Sequence, residues 1–420
     1  MSDRLWRLIV TGLGLLVFWG VHRILVPGVD RYLLWEMYDL GSGMFSIGVM
    51  ALAPWVTAFV VVELALLVVP AWRRLRVVGA DRSRVDLAVR VAWFAICLTQ
   101  AYGMAVGLEQ MRVGYLSVVI EPGWLWRIVF VFTMTGASAL VGWTAMQMGR
   151  LGLGALFVWF VGAELFVELL TLGPVVSHMD VLTLDDVLPV AISVAVVSVA
   201  TFWLVNARGK TGMWLSTAGI VPFSFGLNGL LFLALMAPGL WSYTGLAATG
   251  LAILGTTVIL GLLQSQPEAT FGEQVADSKG FERDRWRAVA AGVAFSAVIC
   301  AVWWTSTDAD TPLYLNPGTV VVALVLVWDV VAEWRARAGR SLVVAASVHR
   351  VRDVQVTLDA LESAGIDAHI RGVRLRQLTH FLAPWAAMDV LVAPTDAVRT
   401  QEVLTASFGG AAVRQSMPSS

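Results

Sequence analysis

Apolar segments of about 20 residues recur along the first 335 residues, and this repetition restricts the chain to membrane folds. The composition agrees, because 58% of the residues are hydrophobic and only 14% are charged. A soluble domain carries about 25% charged residues. The predicted spans lie at 5–25, 45–69, 87–108, 124–147, 153–173, 186–206, 215–237, 244–264, 288–305 and 313–332. We predict an all-α polytopic membrane protein with about ten transmembrane helices.

The positions of Lys and Arg predict that both termini lie in the cytoplasm. Cytoplasmic loops of membrane proteins are enriched in these two residues. With the N-terminus inside, most of the Lys and Arg residues outside the spans fall on the inner side. The outer side then carries Arg23, Arg31, Arg112 and Arg127.

No catalytic or metal-binding pattern is visible in the sequence. Cys97 and Cys300 lie inside apolar spans, and the five histidines lack the spacing of metal ligands. Motifs of nucleotide-binding loops, zinc proteases and serine hydrolases are missing. We expect a protein that is not an enzyme, uses no cofactor and binds no nucleic acid.

Carboxylates within the spans suggest a transport role as one hypothesis. A carboxylate inside a membrane is costly, so its presence calls for a functional reason. Glu63 lies in the second span, and Asp329 lies near the end of the last one. Glu164 and Glu168 are four residues apart and share a helix face. This pair would relay protons if the chain were a proton-coupled small-solute transporter.

Five short segments, in a fixed order, resemble the SecY family, the central subunit of the protein-conducting channel. Residues 45–56 read F-S-I-G-V-M-A-L-A-P-W-V, where the family has F-S-I-x-x-x-G-I-x-P-Y-I. The other four are similar to family segments in the third span, in the turn between spans four and five, and in spans seven and ten. They lie at 98–101, 146–154, 216–223 and 317–329.

The resemblance implies two inverted halves of about five helices each around a pore. A ring of apolar side chains would close this pore, since branched apolar groups repel water and ions. Without the resemblance, the same side chains would be interpreted as ordinary packing. The matching ring positions are Leu52, Val56, Val161, Leu165, Ser224 and Val322.

A lateral gate towards lipid is the second feature that the resemblance implies. The polar residues at matching gate positions are Thr57, Gln100 and Asn228. Taken alone, polar groups in membrane helices more often hydrogen-bond between helices. The segment between Pro27 and Phe45, where the family has its pore plug, is much reduced.

The cytoplasmic docking loops are shorter than those of the family. The basic residues that remain there are Arg208, Lys210, Arg283 and Arg285. The resemblance implies a channel subunit in the bacterial inner membrane that moves or inserts unfolded polypeptides and contacts lipid. Its partners would be a SecE-like subunit, a SecG-like subunit, and a motor or the ribosome. A channel-derived receptor or scaffold that signals through its C-terminal domain remains an alternative, as does the transporter.

Residues 341–411, referred to below as the tail, follow the region 1–335 and are predicted to form a small cytoplasmic α+β domain. Strand-like segments alternate with segments of helical spacing, and Gly365 is expected to end the first tail helix. The stretches L-E-S-A-G-I-D-A and V-A-P-T-D-A resemble a small bacterial domain assigned to signal transduction, which suggests a regulatory or docking role. The basic run Arg371, Arg374 and Arg376 is expected in a solvated loop, with contact to lipid headgroups as the alternative. Residues 412–420 are expected to be disordered.

Overall fold

The protein is described by a computed structural model in which long helices precede a small sheet. The described residues are 3–30, 32–33, 46–69, 72, 82–113, 115–154, 159, 184–207, 254–255, 257–259, 278–308, 317–348, 353–378, 388–408 and 414–415. The chain divides into two compact units. The first comprises Met1–Val62 and Arg82–Asp180, and the second comprises Glu63–Asp81 and Val181–Ser420.

The described part of the first 336 residues forms seven long helices. They are α1 (Asp3–Arg23), α2 (Ala53–Val68), α3 (Arg82–Gln110), α4 (Trp124–Leu151), α5 (Leu184–Asn206), α6 (Ser278–Asp308) and α7 (Pro317–Ala336). Among the described residues, five helices are long and apolar enough to cross a membrane, namely α1, α3, α4, α5 and α6. Helix α2 adds a shorter apolar segment. The predicted spans at 153–173, 215–237 and 244–264 lie almost wholly outside the described residues.

In the first unit, α4 packs against both α1 and α3. Gly14 allows α1 to approach closely, because a Cβ atom at this position would lie 2.3 Å from the Met148 sulfur. At the end of α4, the backbone N–H of Leu153 donates to the Thr11 hydroxyl at 3.0 Å. The Arg7 guanidinium donates to the carbonyl of Gly152 at 3.1 Å. These polar contacts fix the ends of α1 and α4 to each other.

A small hairpin lies where α3 leads into α4. It consists of β1 (Arg112–Val113) and β2 (Leu116–Ser117), which pair antiparallel. An ion pair joins the two flanking helices, since Arg127 Nε donates to Glu109 Oε2 at 2.8 Å.

In the second unit, α5 packs against α6 and α7. The rings of Phe202 in α5 and Trp328 in α7 are stacked, with centroids 5.7 Å apart and an interplanar angle of 4°. The buried hydroxyls of Thr257 and Ser296 are hydrogen-bonded at 3.1 Å. This bond satisfies two polar groups that would otherwise be costly in an apolar environment.

The tail, together with residues 414–415, folds as a four-stranded antiparallel sheet with two helices packed on it. Its elements are β3 (Val343–Val348), α8 (Asp353–Ser363), β4 (His369–Arg371), α9 (Val373–Leu378), β5 (Met388–Val392), α10 (Ala397–Phe408) and β6 (Arg414–Gln415). The strand order is β4-β5-β3-β6. This order, with helices after the first and third strands, is the ferredoxin-like arrangement of two split βαβ units. Gly365, predicted to end the first tail helix, has φ 70°.

The strand β6 differs from the sequence expectation for the end of the chain. Residues 412–420 are expected to be disordered, but Arg414 and Gln415 pair with Ser347 and Ala346 of β3. Two residues are too short for a visible alternating pattern. They pair with β3 because its edge offers unpaired backbone groups.

Candidate functional site

The two predicted pore residues of the second span lie at the start of α2. Leu52 is fully buried and Val56 is half-buried. The backbone N–H of Val56 donates to the carbonyl of Leu52 at 3.0 Å. This bond places the two residues one helical turn apart on the same face.

Helix α2 begins later than the predicted span 45–69, and the reason lies in its proline. Pro54 is the second residue of the helix, where its missing N–H costs nothing. The preceding backbone forms a turn in which the N–H of Ala53 donates to Met50 O at 3.0 Å. Ala51 has a positive φ of 30°, the one such non-glycine residue within the described ranges. It occupies the position of the glycine in the family pattern F-S-I-x-x-x-G-I-x-P-Y-I.

A buried polar cluster connects this turn to α3 and α4. The hydroxyl of Ser138, on α4, donates to the carbonyl of Ala51 at 2.8 Å. The same hydroxyl accepts from Trp93 Nε1 of α3 at 3.2 Å. Trp55 Nε1 of α2 donates to the carbonyl of Ser138 at 3.2 Å. We call Ala51, Trp55, Trp93 and Ser138 the Ser138 cluster.

Two further features hold the Ser138 cluster in place. The rings of Trp55 and Trp93 stack, with centroids 4.5 Å apart and an interplanar angle of 17°. Gly142, one helical turn after Ser138, leaves room for Trp55, because a Cβ there would lie 2.3 Å from Trp55 Nε1. The sequence did not single out these residues. The signal that could have found them is a serine four residues before a glycine within a mostly apolar span.

The predicted gate residues are only partly described. Thr57 donates its hydroxyl to the carbonyl of Ala53 in its own helix at 2.8 Å. Gln100 is exposed on α3. Asn228 lies outside the described residues. A hydroxyl bonded within its own helix is satisfied without an interhelical partner, and the gate assignment stays a prediction.

The remaining predicted positions are placed as follows. Val322 is half-buried in α7, and Arg283 is exposed in α6. Arg285 also lies in α6, so these two basic residues belong to a helix that starts at Ser278 rather than to a loop. The predicted positions outside the described residues are Val161, Leu165, Ser224, Arg208 and Lys210.

Of the four span carboxylates considered for a transport role, Glu63 and Asp329 are described, and both are buried. Glu164 and Glu168 lie outside the described residues.

Asp329 contacts the tail. The backbone N–H of Leu375 donates to Asp329 Oδ2 at 3.0 Å, and Arg374 Nη1 donates to Oδ1 at 3.3 Å. The Arg374 guanidinium also lies over the ring of Trp328, 4.3 Å from its centroid. Helix α7 is therefore joined to α9 by the hydrogen bonds of the Asp329 carboxylate and by the cation–π contact between Arg374 and Trp328.

Glu333, one turn further along α7, is fully buried among arginines. Arg337 Nε donates to Glu333 Oε1 at 2.8 Å, and both side chains have 0% exposure. Arg371 of β4 lies with Nη1 3.5 Å from the same oxygen. Its Nε donates to Asp389 Oδ2 of β5 at 2.9 Å. We call Asp329, Glu333, Arg337, Arg371, Arg374 and Asp389 the junction cluster.

The junction cluster corrects the sequence expectation for the basic run of the tail. Arg371 and Arg376 are buried, at 4% and 0% exposure, and do not lie in a solvated loop. A buried charge is tolerated when a charge of opposite sign and hydrogen bonds surround it. One sequence pattern could have predicted these ion pairs. Asp329 and Glu333 share one face of α7, and basic residues recur in the tail.

His369 lies beside the junction cluster and adds a titratable group to the tail. Desolvation by burial lowers its pKa from the ordinary value of 6.5, and the nearby arginines Arg374, Arg337 and Arg371 act in the same direction. The carboxylate of Glu333 opposes this shift. The net lowering means that the folded tail favours the neutral imidazole.

The sequence is similar to bacterial SecY proteins over part of its length. It is 27% identical over 169 residues to the protein translocase subunit SecY of Rickettsia conorii, covering 36% of this chain and 39% of that protein. It is 31% identical over 156 residues to SecY of Vibrio cholerae, covering 33% and 34% of the two chains. These matches span less than half the length of the relatives. No protein-family model matches the chain.

The fold is similar to solved channel structures over most of the chain. A protein-conducting channel superposes with a TM-score of 0.53 at 13% identity, covering 80% of this chain and 93% of the other. Sec61 in a canine ribosome–channel complex gives a TM-score of 0.52 at the same identity and coverage. The described helices, their order and these similarities agree with one another. The chain is therefore a divergent SecY-like protein with the fold of the SecY and Sec61 channels.

Proposed function

We propose that this chain is the central subunit of a channel through which polypeptides cross or enter the membrane. The observation that carries the proposal is the fold similarity over 80% of the chain, together with an α2 helix that begins at Ala53, between the apolar residues Leu52 and Val56. A helix that starts within a span can present its first turn towards a pore while its remainder packs in the membrane. The partial sequence match to SecY supports the same proposal.

The proposed mechanism relies on an apolar constriction. Without substrate, branched apolar side chains at Leu52, Val56, Val161, Leu165 and Val322 would exclude water and ions, with Ser224 as the one polar position of the ring. A passing polypeptide would displace these side chains, and a gate lined by Thr57, Gln100 and Asn228 would open towards lipid. The mechanism includes no covalent step by this chain, so the energy for movement would come from a partner.

We also propose the membrane, orientation and partners that the SecY resemblance implies. The chain would lie in the bacterial inner membrane with both termini in the cytoplasm. A SecE-like subunit would stabilise the two halves of the channel, and a SecG-like subunit would be an accessory. Arg208, Lys210, Arg283 and Arg285 are the candidate contacts for a motor or the ribosome.

A leak measurement tests the channel proposal. The variant carrying Val56→Gly and Leu165→Gly should make the membrane permeable to ions, because it removes branched apolar groups from the constriction. Ion flux is measured in vesicles that contain the purified protein. Val91→Gly, at an exposed position of α3, serves as the control for the loss of a valine in a helix. Unchanged flux in the double variant would contradict the proposal.

A receptor or scaffold is the second candidate function, and the junction cluster favours it. The ion pairs of Glu333 with Arg371 and of Asp329 with Arg374 connect α7 directly to the tail, which resembles a signal-transducing domain. Affinity purification in mild detergent distinguishes the two functions. Recovery of a SecE-like subunit supports the channel, whereas recovery of only soluble signalling proteins supports the receptor.

A further inference from the structure

The Ser138 cluster lies directly beside the proposed constriction. Ala51, whose carbonyl accepts from Ser138, is the residue before Leu52. Trp55, whose indole donates to the Ser138 carbonyl, is the residue before Val56. Ser138 of α4 is thus hydrogen-bonded to the residue before Leu52 and to the residue before Val56.

The hydroxyl of Ser138 commits its one proton within the Ser138 cluster. A serine hydroxyl has one proton to donate and two lone pairs that accept. Its proton goes to the carbonyl of Ala51 at 2.8 Å, and the indole of Trp93 donates to its oxygen at 3.2 Å. Ser138 is fully buried, at 0% exposure, so water does not replace these bonds.

The turn at Ala51 needs such support. An alanine with φ 30° is strained, because its Cβ crowds the backbone in the left-handed region. Strained conformations persist when the surrounding structure fixes them. The hydrogen bond from Ser138 is the described contact that holds the carbonyl of this residue.

We propose that Ser138 is a positioning residue for the pore seal. Its hydroxyl holds the Ala51 carbonyl and so fixes the turn that directs Leu52 and Val56 towards the constriction. This inference rests on the proposed channel function. A role in packing alone would lower the stability of the protein without altering its resting permeability.

The test measures ion leak through vesicles that contain the full-length protein with no substrate. Ser138→Ala should raise the leak about tenfold, because loss of a buried hydrogen bond shifts an equilibrium by about that factor. Adding Ala51→Gly to Ser138→Ala should restore the seal, since glycine adopts a positive φ without external support. Thr144→Ala is the matched control, because the Thr144 hydroxyl donates to Leu140 of its own helix.

A second variant covers the case in which Ser138→Ala does not fold. Trp93→Phe keeps an aromatic ring over Trp55 and removes the N–H that fixes the Ser138 hydroxyl. It should give a smaller rise in leak than Ser138→Ala, with the melting temperature recorded for each variant.

The outcomes separate this inference from the channel proposal. If the Val56→Gly, Leu165→Gly variant leaks and the Ser138→Ala and Trp93→Phe variants stay tight, the positioning role is overturned and the channel stands. If Ser138→Ala leaks and Ala51→Gly does not restore the seal, the role through the Ala51 carbonyl is also overturned. If none of these variants leaks, both proposals fail.

Discussion

Ala51 shows how a single residue can mark where a chain departs from its relatives. The SecY pattern has a glycine here, and this chain has an alanine that keeps a positive φ of 30°. A non-glycine residue in a sparsely populated backbone region costs about 1–3 kcal/mol. The chain offsets this cost with the Ser138 hydrogen bond and the stacked tryptophans.

Replacing Ala51 with glycine should therefore stabilise the protein by about 1 kcal/mol, since the relief of strain exceeds the greater backbone entropy of glycine in the unfolded chain. Thermal unfolding in detergent measures the effect as a higher melting temperature. Ala145→Gly, in the buried interior of α4, should instead destabilise by about 1 kcal/mol, because glycine is a poor helix former. A lower melting temperature for Ala51→Gly would argue against strain at this turn.

His369 gives the tail a predictable response to acid. Its pKa in the folded protein lies below the ordinary value of 6.5, so at pH values between the two the unfolded chain binds more protons. The stabilising contribution is complete above about pH 6.5 and is lost as the pH falls below it. The protection factors of the tail amides in the full-length protein, which correct hydrogen exchange for the slower intrinsic rate in acid, should decrease as the pH falls from 7.5 to 5.5.

His369→Gln is the matched variant for this measurement. It keeps a polar side chain of similar size and removes the titrating imidazole, so the loss of protection that is due to His369 should disappear. An equal loss of protection in wild type and variant would assign the pH response to other groups.

Among the elements, α7 is unusual because its last turns carry two acids that the tail surrounds. Glu333 faces Arg337 and Arg371, and all three side chains are almost completely buried. Removing one charge from a buried pair typically costs about 3–5 kcal/mol, since the remaining charge keeps its desolvation penalty. The contact between helix and tail thus depends on charges rather than on apolar area alone.

Glu333→Gln should loosen the tail from α7, because the variant removes the negative charge that faces two buried guanidinium groups. Limited proteolysis of the full-length protein should release the tail faster, with a loss of about 3 kcal/mol in the stability of the docked state. Asp367→Asn is the control, because Asp367 pairs with Arg340 at the surface and its side chain is 73% exposed. That surface change should cost less than about 1 kcal/mol. Equal proteolysis rates for the two variants would contradict the role of the junction cluster.

The elements differ in how well the sequence predicts them, and the range of the interaction explains the difference. Span length alone predicted helices such as α4 and α5, because a run of apolar residues is a local signal. The start of α2 at Ala53 depends on Pro54 and on a turn whose support comes from Ser138, far along the chain. The junction cluster joins residues of α7 to residues about 40 positions later, so the basic run resembled a solvated loop.

At the scale of the whole molecule, the placement of both termini on one side of the membrane is a prediction from the Lys and Arg distribution. A protease site and epitope added after Ser420 tests it. Protease should cleave this site in inside-out vesicles and leave it intact in right-side-out vesicles. The reverse pattern would contradict the predicted orientation. An N-terminal tag on a second version of the chain checks that the number of crossings is even.

The connection between α7 and the tail limits where this chain can be joined to another protein in a chimera. Helix α7 ends at Ala336 and β3 starts at Val343, and Arg337 spans the interval by donating to the carbonyl of Leu342 at 2.8 Å. A chimera joined in this short interval would place the acids of α7 against a foreign surface. A graft that keeps the tail folded and docked must therefore carry α7 from before Asp329, so the tail and the end of the last helix are inherited as one piece.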